Sequence, residues 1–317
     1  MDMTSVDDVL FTADPADWQP GDSWLAGGTV LYSYGTDIAR GRPRRLLDLG
    51  RADWTPVTWH LDPAVLELAA TCPVATVYAL PTDPDLPVSR HLLPGLDLFR
   101  PCCDSFVASW KIWTVSTIGG NVATALPAGP MTSLLAGLDA VAVLLGRDGG
   151  RRELPVANLV TGATRTALAD GELIRSFRVP LTTLEQPCAF RRISLTERGR
   201  SAALLIGRRT GPGRVRITVT ASTPRPVVID LGGPDGSPVT ADQWRSAVDE
   251  AVGSAVDEAV DRVGWYDDVH GDPEWRRAMT HRLGEEILAE LLPDHSVTDP
   301  AAVGRSTGDI VREGTAR

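Results

Sequence analysis

The sequence predicts an α+β protein in three parts, and three observations predict it. Its 317 residues are enough for two or three lobes with cores of their own. Residues 56–180 mix short Val-rich runs with helical patterns. Residues 185–292 change texture: three β-like runs come first and helical segments follow.

In residues 1–55, Ser23–Ala26 reads as a strand that runs into a glycine turn, and Arg45–Leu49 as a second strand. In the middle part, Val74–Leu80 and Val141–Leu145 read as strands because they are apolar, rich in Val and bounded by turn signals. Leu96–Trp110 and Met131–Leu138 read as helices. In the third part the β-like runs are Ala202–Arg209, Val215–Ala221 and Val227–Leu231. The second alternates apolar and polar residues with the period of a half-buried antiparallel strand. Gly211-Pro212-Gly213 supplies a hairpin turn between the first two. Thr240, with Gln243 three residues later, carries the capping-box signature of a helix start. Ser246–Val252 recurs identically at Ser254–Val260, an amphipathic helix broken at Gly253. A last helix opens at Asp272-Pro273 and sets Trp275, Met279, Leu283, Ile287 and Leu291 on one face. The tail 294–317 is polar, aperiodic and expected to be flexible.

Composition narrows the function classes. The formal charge is −10, Lys111 is the only lysine, and no basic stripe or nucleic-acid motif occurs, so no nucleic-acid partner is expected. The longest apolar stretches are too short or too interrupted to cross a bilayer, so no membrane association is expected. The acidic N-terminus lacks a positive leader, which points to a cytoplasmic protein. Cys72, Cys102, Cys103 and Cys188 form no CxxC pair and read as free thiols, not cluster or zinc ligands. His60, His91, His270, His281 and His295 are scattered, so no metal site is expected. Asp267-Asp268 sits in a polar turn. No catalytic acid, base or nucleophile is predicted.

Two glycine turns remain. Leu25-Ala26-Gly27-Gly28-Thr29 follows a strand directly, and Ser116-Thr117-Ile118-Gly119-Gly120-Asn121 lies about ninety residues on. Paired glycines let the backbone approach a bulky ligand, and successive N–H groups form a concave nest for anions. Thr29, Thr117 and Asn121 add side-chain donors. A dinucleotide pyrophosphate wants such donors. Neither turn fits GxGxxG or a Walker A loop.

The order and spacing of these turns resemble the FAD-binding subunits of the xanthine dehydrogenase and carbon monoxide dehydrogenase family. That family carries AGGT after its first strand, then (A/S)TIGGN, a PA turn and an apolar helix ending near LDA. Here these are Ala26–Thr29, Ser116–Asn121, Pro127-Ala128 and Leu138-Asp139-Ala140. Further matches are Gly162, Thr166 to Leu168, Gly171-Glu172-Leu173, Pro180, Phe190-Arg191 and Pro273 to Arg277. The resemblance spans about residues 20 to 292. It implies a two-lobed PCMH-type FAD-binding domain, with lobes at 1–55 and 56–182, then a C-terminal antiparallel sheet with helices at 183–293.

It also implies a site for non-covalent FAD. Leu25, Ala26, Gly27, Gly28, Thr29, Val30 and Leu31 would wrap the pyrophosphate by their amides. Thr117, Ile118, Gly119, Gly120 and Asn121 would form the second phosphate and ribityl contact, with Ile118 beside the flavin ring. Val107 and Ala108 match cofactor contacts of the preceding helix, Leu173 a backbone contact near the ring, and Arg191 a family lysine that reaches it. Four positions depart from the pattern: Val30 replaces a polar or acidic residue, Trp113-Thr114 replaces Arg-Asn, and Pro130 replaces an Asp that contacts the ribose. Trp113, three residues before the second turn, reads either as a neighbour of the flavin or as core packing.

By resemblance, the chain would be a flavin electron-transfer subunit. Its partners would be a molybdopterin-binding large subunit and a 2Fe-2S small subunit, with NAD or O₂ as acceptor. A stand-alone FAD-dependent dehydrogenase or oxidase, and a non-catalytic scaffold relative, stay open alternatives.

Overall fold

The structure is a computed structural model that describes residues 3–38, 40–232, 239–253 and 264–293. The second copy of the SAVDEAV repeat and the tail after residue 293 lie outside the described residues.

The first part holds a small parallel sheet of β1 (Asp8–Phe11), β2 (Asp22–Leu25) and β3 (Arg45–Asp48), in the order β1-β3-β2. Leu46 and Leu47 anchor its middle strand in the interior. Arg45 pairs with the buried Asp22 of the adjacent strand at 2.6 Å.

The second part holds β4 (Val57–Leu61), β5 (Ala64–Ala69), β6 (Val141–Leu145), β7 (Arg151–Pro155), β8 (Val160–Gly162), β9 (Arg165–Thr166) and β10 (Leu173–Pro180). Five of these form one antiparallel sheet, β4-β5-β10-β6-β7. Phe177 of the central β10 is fully buried between Leu68 and Ala142 of its neighbours. Helices at Val74–Ala79, Phe99–Asp104, Ile118–Thr124 and Pro130–Gly137 pack around it and complete the largest core.

Two expectations are corrected here. Val74–Leu80 is not a strand but the helix Val74–Ala79. Its buried residues, Val74 and Val77, are three apart, so a helix buries both on the facing helix Phe99–Asp104, and Pro73 starts it. Leu96–Trp110 is not one helix. A 3₁₀ turn at Pro94–Leu98 leads into Phe99–Asp104, and a separate short helix covers Trp110–Trp113. The break falls at Ser105, whose hydroxyl donates to the Cys102 carbonyl at 2.6 Å and competes with helix continuation.

The third part is an antiparallel meander of β11 (Cys188–Ile193), β12 (Ala203–Gly211), β13 (Arg214–Thr220) and β14 (Val227–Leu231). The turn between β12 and β13 falls at Pro212-Gly213, as the glycines predict. β12 is buried on both faces. Ala203 and Leu205 join the core under helices Ala241–Val252 and Pro273–Leu291, while Leu204 and Ile206 join the core of the second part. This double burial explains why that run is continuously apolar and not alternating.

Thr240 caps its helix with the complete capping box, and Asp272 caps the last helix through the Trp275 amide. The last helix buries Leu283, Ile287 and Leu291 as expected. Trp275 and Met279 lie half-buried at the edge, and Arg276 and Thr280 take the inner positions. The Arg276 guanidinium is satisfied there by the carbonyls of Gly271 (2.9 Å), Ala202 (3.1 Å) and Ala221 and by Asp268. Asp268 is thereby a structural partner. Among the described residues no helix is long and apolar enough to cross a membrane.

Candidate functional site

The two glycine bends meet. β2 delivers the chain into Ala26-Gly27-Gly28, and Gly28 adopts a left-handed φ of 66° before helix Thr29–Tyr34 begins. A Cβ on Gly27 would lie 1.8 Å from the Val115 carbonyl oxygen, so only glycine allows this approach to the second bend. The hydroxyls of Thr29 and Ser116 are 3.0 Å apart and join the bends directly.

The bends differ in what they leave free. In the second, Thr117 caps helix Ile118–Thr124 by accepting from the Gly120 amide at 3.1 Å. Ile118 donates to the Cys72 carbonyl (3.0 Å), Gly119 to that of Ala70 (2.8 Å) and Asn121 to that of Thr117 (3.0 Å). The Asn121 Oδ1 accepts from the Met131 amide at 3.0 Å. These four amides are therefore committed inside the protein. In the first bend, the first helical bond is closed by Tyr32 onto Gly28 at 2.8 Å, and the amides of Gly27 to Leu31 have no acceptor among the described residues. The first bend thus leaves a run of free N–H donors, and the second presents hydroxyls and a small-residue wall.

Around the joined bends lies a cleft that is open to solvent at its mouth. Leu25 to Leu31, Thr117, Gly119, Gly120, Asn121 and Leu173 line it. Ile118 does not; it is fully buried beneath the cleft in the core. Val107 is 51% exposed outside the cleft and Ala108 packs on the core, while Phe106 takes the lining position in that segment. Arg191 also points elsewhere: its guanidinium pairs with Glu286 at 3.1 Å and Glu290 at 2.7 Å on the last helix. The buried Pro130 opens helix Pro130–Gly137 and lies outside the lining. Trp113 is largely buried, tilted against Trp110 and Tyr78.

Leu168, Glu172, Leu173 and Ile174 form a further wall. Trp24 fastens it to the first part by donating from its indole to the Gly171 carbonyl at 3.3 Å. Burial raises the cost of charging Glu172, yet Arg152 (2.6 and 2.7 Å) and the Ala169 amide (3.0 Å) hold its carboxyl below the usual range. It is thus a neutralised anion and not a proton donor. Burial pushes the Cys72 and Cys188 thiols up to about 12, so neither is a nucleophile. Arg40, Ser116 and Arg200 also line the cleft. Ser116 opens the predicted turn, but no sequence pattern marks Arg40 or Arg200.

An apolar cleft with one amide nest fits FAD, since free N–H donors match a diphosphate and the small residues of both bends line the cleft. Residues 87–182 match the family model described as the FAD binding domain in molybdopterin dehydrogenase. That segment contains the second bend and Leu173, while the first bend lies outside it and is brought to it by the fold. No curated protein matches the chain. Among solved structures, a chain of quinoline 2-oxidoreductase from Pseudomonas putida 86 aligns with a TM-score of 0.70 at 17% identity, covering 93% of this chain and 99% of its own. Carbon monoxide dehydrogenase from Hydrogenophaga pseudoflava gives 0.68 at 18% identity, covering 92% and 99%. That of Oligotropha carboxidovorans gives 0.67 at 21%, covering 92% and 98%. The segment 87–182 is similar to the FAD-binding domain of molybdopterin dehydrogenases, as the motifs implied, and the whole chain shares the fold of these chains.

Proposed function

We propose that the chain is the flavin electron-transfer subunit of a molybdenum hydroxylase-type dehydrogenase in the cytoplasm. Its partners are a molybdopterin-binding large subunit and a 2Fe-2S small subunit, and its acceptor is NAD or O₂. The observation that carries this reading is the convergence of two distant bends on one cleft, with the amides of Gly27 to Leu31 unspent. The matched FAD-binding segment and the shared fold support it.

Bound FAD supplies the chemistry, taking electrons singly from iron–sulfur centres and releasing them in pairs. The chain's residues hold and orient it. The first bend receives the pyrophosphate on neutral N–H donors. Thr117, Asn121 and Ser116 place polar atoms along the second bend. Leu168, Leu173 and Ile174 offer an apolar wall that keeps water from the ring. Glu172 is held ionised by Arg152 and takes no part in proton transfer.

Two experiments test the reading. The purified protein carries flavin absorption bands that denaturation releases into solution. Co-expressed with its partners, it purifies as a complex. Substrate oxidation by the isolated chain would favour the stand-alone enzyme, and a colourless protein that ignores added FAD would sink both.

A further inference from the structure

Two cleft arginines are unaccounted for. Arg40 of the first part and Arg200 of the third both line the cleft, and neither guanidinium has a hydrogen bond or ion pair among the described residues. Two acids line the cleft with them, one held by an arginine and one by neutral donors. Glu172 is held by Arg152, and Asp37 accepts from the Ser23 hydroxyl and the Arg40 amide, each at 3.1 Å. Arg200 is the one described residue beyond Ile174 that reaches the cleft.

Its loop is built to present it. The chain leaves β11 at Ile193 and returns at Ala202, whose amide donates to the Ile193 carbonyl at 2.8 Å. Within the loop, the half-buried Arg192 donates to the Gly199 carbonyl and to the Ser201 hydroxyl at 2.7 Å. The residues on either side of Arg200 are thus pinned by one guanidinium.

We infer that Arg40 and Arg200 close the cleft electrostatically over bound FAD, with Arg192 as the positioning residue for Arg200. This rests on the FAD site proposed above. The amides of the first bend are neutral donors and leave the two charges of the pyrophosphate uncompensated in a chain of net charge −10. Two free guanidinia supply the missing charge. Arg191, spent on Glu286 and Glu290, does not.

The test is titration of the full-length apoprotein with FAD, followed by flavin fluorescence, at low and high salt. Arg40→Gln and Arg200→Gln each raise Kd about tenfold, and the double variant about a hundredfold, with a flatter salt dependence. Arg200→Lys restores most of the affinity, and Arg191→Gln leaves it unchanged. Arg192→Leu weakens binding as Arg200→Gln does and adds nothing in combination with it. A double Arg40/Arg200 variant with wild-type affinity and salt dependence overturns the inference. Wild-type protein that binds no FAD overturns the underlying site instead.

Discussion

Gly27 and Gly120 stand in the same cleft for different physical reasons. Gly27 is glycine because the Val115 carbonyl occupies the place of its Cβ, 1.8 Å away. Gly27→Ala must push the bends apart, at a cost of about 1–3 kcal/mol and the loss of bound FAD. Chemical denaturation and the visible spectrum measure the two effects. Gly120 is different: its Cβ would meet only the Thr117 hydroxyl, at 3.0 Å, within 4 Å. Gly120→Val is predicted to keep the fold, by circular dichroism, and to lose flavin retention because its methyls stand in the cleft. A folded, yellow variant would contradict that role. Glu172 adds a pH signature. Its carboxyl is held below its ordinary value by Arg152, so its contribution is fully present above the unfolded pKa of about 4.3 and is lost as pH falls through the lower folded value. Glu172→Gln is predicted to shrink the acid destabilisation below that range, measured by denaturation at a series of pH values.

At the scale of the element, local chemistry was legible wherever it was self-contained. The Thr240–Gln243 capping box and the Asp272 cap are written in four residues each, and both formed. Thr240→Ala is therefore predicted to cost about 1 kcal/mol, read from the denaturation midpoint. Val74–Leu80 was not legible, because six apolar residues with two valines suit a strand or a helix until the neighbour is known. The Leu96–Trp110 pattern hid the break that the Ser105 hydroxyl introduces. Packing partners are equally invisible to the sequence. Gly284 in the last helix lies under Trp244, and an added Cβ would be 2.0 Å from its ring. Gly284→Ala is predicted to destabilise the third part by about 1–3 kcal/mol despite its better helix propensity, measured by thermal unfolding.

At the scale of the molecule, the first and second parts enclose the cleft, and the third part reaches it through Arg200. β12 glues the third part to the second through Leu204 and Ile206, and the buried Arg208 adds bonds to the Gly137 carbonyl (2.6 Å) and Asp139. Trp24 ties the first part to Gly171. The motifs grouped the two bends with Leu173, and all three line the one cleft. They did not reveal that the second bend spends its amides on Ala70 and Cys72, since those acceptors lie far off in sequence. Nor did they find Arg40 and Arg200, which are placed by tertiary structure alone.

The account turns on where a diphosphate is held, and a crystal structure with FAD bound tests that most directly. The predicted result is pyrophosphate oxygens about 2.7–3.2 Å from amides in the Gly27–Leu31 stretch, with Gly119 and Gly120 forming the facing wall. A pyrophosphate seated anywhere else in the molecule, with those amides facing only solvent, would contradict it.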